Sequence, residues 1–208
     1  MSPLKKQNLL LIVLIIFYSV GLIGLHTDYR TYFLNLTPFN LLLSFGCLYL
    51  SFKDYSLKKH VDILLIAAVG YSLEWIGVHT SVLFGHYHYG SVLGYQWDGI
   101  PLTIALNWVL LTFTSTAIVY KWKLPLVLKA LIAGALMTGL DWILEPVAIR
   151  SGFWFWETNE IPLYNYVCWM SFSSVFAFWV LNRKTVETNK VTVGLFVILV
   201  IFFAILNR

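Results

Sequence analysis

The chain has 208 residues, of which 59% are hydrophobic and 12% are charged, with a formal net charge of +4. A soluble domain carries about twice that charged fraction, so a water-soluble enzyme is excluded. The small positive balance points to no nucleic-acid partner.

Seven apolar runs approach the ~20 residues of a membrane span, at roughly 9–25, 33–52, 61–80, 100–120, 124–145, 162–181 and 191–206. The loops between them leave no room for a soluble domain. We therefore read residues 1–208 as one all-α domain, a polytopic membrane protein built as a bundle of about seven transmembrane helices.

Run one follows Lys5 and Lys6 and imitates a signal peptide. It is longer than an ordinary signal core and leads into "GLHTDYR", which has no small-x-small cleavage pattern, so a retained helix is expected. Run two contains Cys47, and run six contains Cys168. Both are expected as buried free thiols and not as a disulfide. Run three carries Glu74 inside an apolar stretch, beside Trp75, and leads into the loop "FGHYHYG". Run four opens on "IPLTIALNW", with Asn107 and Trp108. Run five holds "LDWILEP", with Asp141, Trp142 and Glu145, and the loop "GFWFW" follows with Trp154. Run six opens on "IPLYNYVCW", with Asn165 and Trp169. Run seven contains no lysine, which excludes a retinal receptor, whose last helix needs one.

The basic residues alternate by side. Lys5, Lys6, Lys53, Lys58, Lys59, Lys121, Lys123, Lys129, Arg183, Lys184 and Lys190 fall on one side, and Arg30, Arg150 and Arg208 on the other. That asymmetry predicts the N-terminus inside and the C-terminus outside.

"IPLTIALNW" and "IPLYNYVCW" share their first three residues and a Trp at the ninth place. Each follows an aromatic loop, and each loop follows an outward-running helix that carries acid. This describes a parallel repeat about an axis along the membrane normal. The Pro of each segment also suits the first turn of any helix. At 1.5 Å per residue, Glu74 is expected about 9 Å below the outer end of its helix and Asp141 about 6 Å below its own. Asn107 and Trp108 are expected about 10 Å down run four, and Asn165 about 6 Å down run six. Four segments thus place polar groups in one outer layer, and the inner half is expected to hold almost none. An intramembrane carboxyl marks function more often than structure, although a neutral carboxyl bonded to a neighbouring helix remains the plain alternative.

Apolar surroundings favour a protonated Glu74, which can then donate its proton. Asp141 and Glu145 are four apart and share a helical face, and two such carboxyls tend to share one proton. Pro146 is expected to end the helix and leave Glu145 near water. His79, His86 and His88 are metal-ligand types. Their glycine-rich setting reads as a surface turn, and we assign neither a metal nor a cofactor. Trp75, Trp108, Trp142 and Trp169 lie within spans, where aromatic faces stabilise a cation. Core packing explains each equally well, and an interfacial belt explains part of the two aromatic loops.

Over roughly residues 70–181 the chain resembles the membrane carotenoid-biosynthesis family that includes carotenoid 1,2-hydratase and bisanhydrobacterioruberin hydratase. The resemblance rests on Glu74 with Gly77, "FGHYHYG", "LGYQWDGIPLTIALNW", "LDWILEPVAIRSGFWFW" and "IPLYNYVCW". Glu145 stands where that pattern has Asp. The resemblance implies hydration of the terminal C1=C2 double bond of an acyclic carotenoid end group to a tertiary alcohol, without a redox cofactor. It also implies residence in a prokaryotic cytoplasmic membrane, a hydrophobic carotenoid substrate drawn from the lipid bilayer, and contact with other enzymes of the pathway. The candidate catalytic residues are Glu74, Asp141 and Glu145. The candidate substrate-binding residues are Trp75, Tyr87, Tyr89, Asn107, Trp108, Trp142, Trp154, Asn165 and Trp169. A membrane carotenoid cyclase and a non-catalytic carotenoid or lipid carrier are the alternatives.

Overall fold

The computed structural model describes residues 2–158 and 160–208. Each apolar run forms a helix, and one short helix is added, giving eight among the described residues: α1 (Pro3–Leu25), α2 (Arg30–Asn35), α3 (Thr37–Ser51), α4 (Leu57–Thr80), α5 (Thr103–Val119), α6 (Leu126–Arg150), α7 (Leu163–Arg183) and α8 (Lys190–Leu206). Helices α1, α4 and α6 are long and apolar enough to cross a membrane. Helices α3, α5 and α8 are apolar but shorter, at 15, 17 and 17 residues. The second run is split because Pro38 has no N–H to offer the Leu34 carbonyl. That carbonyl accepts instead from Thr37 Oγ1 at 2.6 Å, and the chain restarts as α3.

Helix α5 is the hub, with α3, α4, α6, α7 and α8 packed around it. Thr112, Thr114, Ser115 and Thr116 of α5 are wholly buried. Their burial is tolerated because the hydroxyls of Thr114, Ser115 and Thr116 return to carbonyls of the same helix, as Thr114 does to Leu110 at 2.6 Å. Cys47 and Cys168 are buried and free.

Helix α6 departs from the expected boundary. It does not stop at Glu145 but runs through Pro146 to Arg150. A proline there removes one backbone hydrogen bond. The loss is offset by Val147 and Ala148, which are buried just beyond it. The last turn is tied down as well: Arg150 Nη2 donates to the Leu206 carbonyl at 2.9 Å, and Arg30 Nη2 donates to the Arg150 carbonyl at 3.1 Å. Glu145 is consequently 1% exposed and not near water.

The two aromatic loops are also more ordered than expected. Strand β1 (Tyr87–Tyr89) and strand β4 (Trp154–Trp156) pair antiparallel, in the register Tyr87↔Trp156, His88↔Phe155, Tyr89↔Trp154. Between them in sequence, β2 (Gln96–Trp97) and β3 (Ile100–Pro101) form a tight hairpin. Asp98 and Gly99 make its turn at φ 51° and 80°, the left-handed pair that a two-residue hairpin turn requires.

The opposite end of the bundle holds charge that the sequence reading did not anticipate there. Asp62 is fully buried. It accepts from Arg183 Nε at 2.6 Å, Trp179 Nε1 at 3.0 Å and Thr185 Oγ1 at 2.7 Å. Buried Lys59 pairs with Glu187 and lies 4.4 Å over the Phe52 ring. Each charge here meets an opposite charge, so the cluster is a closed tie between α4 and the chain leading out of α7.

Candidate active site

Glu74 lies six residues before the end of α4, about 9 Å down the helix. Its carboxyl is buried and accepts three hydrogen bonds: Tyr87 Oη at 2.5 Å and Tyr89 Oη at 2.8 Å, both to Oε2, and Trp108 Nε1 at 3.1 Å to Oε1. The two phenols arrive on alternate residues of β1, since a strand turns every second side chain to the same face. Burial pushes both phenols well above their ordinary range, so both keep their protons and donate. Gly77 makes room for this, because a Cβ there would stand 2.9 Å from Tyr87 Oη and 2.9 Å from the Phe84 ring.

The second acidic group is built on α6 and α7. Asp141 and Glu145 sit one turn apart, with Asn165 of α7 between them. Asn165 Nδ2 donates to Asp141 Oδ2 at 3.2 Å and to Glu145 Oε1 at 3.3 Å. Glu145 Oε2 also accepts from Trp154 Nε1 at 2.9 Å and Trp156 Nε1 at 3.3 Å. Asp141 receives no donor but Asn165 among the described residues. Because α6 is longer than expected, Asp141 lies nine residues, about 14 Å, below its outer end.

Glu74, Asp141 and Glu145 line one cavity of about 280 Å³. Tyr87, Tyr89, Asn107, Trp154, Asn165 and Trp169 also line it, as do Trp156 and Phe84, which the sequence reading did not single out. Trp108 lies behind this wall, fully buried, with its indole stacked on that of Trp169 at a centroid distance of 4.2 Å and 11° between planes. Trp75 and Trp142 are not brought to the cavity. Trp142 is 67% exposed on the outer surface. Trp75 donates its Nε1 proton to Asp98 Oδ2 at 2.7 Å and stacks on His79. His86 and His88 are exposed, and the His88 ring lies against Phe155.

The geometry exposes a closer repeat than the shared Ile-Pro-Leu. Leu-Glu-Trp-Ile at 73–76 is matched by Leu-Asp-Trp-Ile at 140–143. In each half the acid is followed eleven residues later by a glycine, and thirteen and fifteen residues later by aromatic residues. Those residues are Tyr87 and Tyr89 in one half and Trp154 and Trp156 in the other, so this pattern could have found Trp156. Asp141 is therefore the counterpart of Glu74. The halves then diverge, because Val78 occupies the place of Glu145 and Ile104 that of Asn165.

Three carboxyl groups face a largely apolar space, and no lysine, arginine or histidine lines it among the described residues. Such a site stabilises positive charge that develops inside it, and the aromatic faces around it act in the same direction. The carboxyls of Asp141 and Glu74 both reach this space, one from each half.

A family model described as "Carotenoid biosynthesis protein" matches residues 37–207. No curated protein matches the chain, and no solved structure does.

Proposed function

From its membership of the carotenoid biosynthesis protein family, we propose that this chain is a hydratase that adds water across the terminal C1=C2 double bond of an acyclic carotenoid end group. The observation that carries this reading is the apolar cavity holding three carboxyls and no basic side chain among the described residues. Asp141, with its single hydrogen bond, delivers a proton to C2. The electron pair of the double bond forms the new C–H bond, leaving a tertiary cation at C1. Glu74, held by three donors, is kept as the carboxylate that faces this cation. Water attacks C1, and Glu74 accepts the proton that water loses, giving the tertiary alcohol. A proton returns from Glu74 to Asp141 between turnovers. Asn165 and Glu145 hold Asp141 in place. Acid and base groups so positioned typically contribute about 10²–10⁴-fold each.

The same reading places the protein in the cytoplasmic membrane with seven spans, the N-terminus inside and the carboxyl cluster towards the outer face. The eleven-to-three distribution of basic residues supports this orientation.

Incubation with lycopene in ¹⁸O-labelled water, followed by chromatography with mass detection, tests the reaction. Hydration adds one labelled water and leaves the visible spectrum nearly unchanged, since C1=C2 lies outside the conjugated system. Asp141→Asn and Glu74→Gln are each expected to lower conversion at least about 100-fold. A product of unchanged mass with an altered spectrum would establish a cyclase instead, and pigment returned intact would establish a carrier.

A further inference from the structure

The cavity extends well beyond the carboxyls. From Glu74 and Asp141 its lining continues without a break to Phe17, Val20 and Gly21 on α1 and to Phe39 on α3. Val20 and Phe39 are about half exposed on the outside of the bundle. The rings of Phe17 and Phe39 meet across the gap with centroids 6.1 Å apart. Helix α2 holds α1 in this position, because the Phe33 ring occupies the space a Cβ on Gly24 would need. The Trp108–Trp169 stack, the β1–β4 pair and the face of α6 packed on α7 wall other sides of the carboxyl cluster.

The volume of about 280 Å³ is below the roughly 300–1,000 Å³ of pockets that enclose a drug-sized ligand. A long polyene therefore cannot be enclosed whole, and part of it must extend past the half-exposed end of the cavity at Val20 and Phe39. We infer that the cleft between α1 and α3 is the lateral portal in which the polyene chain of the substrate lies while its end group reaches Asp141, with Phe17 and Phe39 as the gate. The inference rests on the proposed reading that the substrate is an acyclic carotenoid. It makes α1 a specificity-determining element. The family match begins at residue 37, so the carboxyl cluster lies within the matched segment and α1 outside it.

The test is binding, so that it stands apart from turnover. The full chain in nanodiscs is titrated with lycopene, read by quenching of tryptophan fluorescence. Gly21→Leu adds bulk to the cleft lining at a position where a Cβ meets only Phe202 at 3.9 Å, and leucine favours helix over glycine. It is expected to weaken lycopene binding at least tenfold. Phe39→Ala removes the gate at a surface position and is expected to speed association several-fold in stopped flow. Leu64→Phe, on the outer face of α4 away from the cleft, is expected to leave both unchanged. Wild-type affinity in Gly21→Leu, an unchanged association rate in Phe39→Ala, or no lycopene binding by the wild type would each overturn the portal. Binding that follows the expected pattern without addition of water would leave the portal standing and overturn the hydration reading alone.

Discussion

The indoles of Trp108 and Trp169 stack on each other at 4.2 Å, and each holds the ninth place of its own Ile-Pro-Leu segment. Residues that correspond in sequence thus touch in space. The same holds at the rim, where the β1–β4 register is centred on His88 and Phe155, which are themselves counterparts. Both contacts join a residue of one half to its counterpart in the other. The cavity lies on the seam between the halves, and each half supplies one acid of the pair Glu74 and Asp141. Sequence repeats in membrane proteins commonly place their site where the repeats meet.

The symmetry of the stack hides an asymmetry of bonding, which leads to the first prediction. Trp108 Nε1 donates to Glu74, while the Trp169 indole N–H makes no hydrogen bond among the described residues. Phenylalanine at either place keeps an aromatic face. Only Trp108→Phe removes a donor from buried Glu74, which the proposed mechanism keeps as a carboxylate, an interaction of about 1.5–3 kcal/mol. Trp108→Phe should lower hydration by roughly 10–100-fold, and Trp169→Phe by less than about 3-fold, in assays normalised to protein level. Equal losses in the two variants would mean that the rings matter and the N–H does not.

Asn165 carries the second prediction. A single amide nitrogen serves both Asp141 and Glu145, and no other group joins them among the described residues. Asn165→Leu keeps the number and branching of side-chain heavy atoms and removes the donor. The two carboxyls, one turn apart, then lose the group that fixes their mutual position. Conversion should fall at least about 100-fold, with lycopene binding within a factor of about two because the portal is untouched. A parallel loss of binding would show that Asn165 shapes the cavity and does not position Asp141.

Much of this arrangement is legible in the chain, and the failures have physical causes. The helices follow from apolar run length, and Glu74 stands out because an acid in such a run is costly. The end of α6 is not legible at Pro146, because the penalty there is local, whereas the burial of Val147 and Ala148 that offsets it depends on the folded bundle. The strand pairing was invisible because three aromatic residues in a loop carry no pairing signal until a partner far along the chain is brought beside them. Trp75 and Trp142 lie within spans, which marks them as candidates, but their position in a span does not give the direction they face. Successive residues on a helix point about 100° apart, so the neighbour of an inward acid faces outward. The inner charges at Asp62 and Lys59 look exposed in sequence because their partners, Arg183 and Glu187, lie more than a hundred residues away.

The outward direction of Trp75 supplies the last prediction, one of pH dependence. The Trp75 indole N–H donates to Asp98 Oδ2 at 2.7 Å, and His79 Nε2 lies 3.4 Å from the same oxygen. These contacts, the indole first, hold the Asp98 carboxyl below its ordinary value. A carboxyl lowered on folding stabilises the folded state at pH above its unfolded value of about 3.9. That stability is lost as pH falls through the lower folded value. Trp75→Phe should therefore lower the Tm of the detergent-solubilised protein near pH 6, by no more than about 3 °C for a solvent-exposed contact. The difference from wild type should shrink below about pH 4 and vanish once Asp98 is protonated in both states. A difference that persists undiminished to pH 2.5 would assign the loss to packing of the indole on His79 and not to the Asp98 charge.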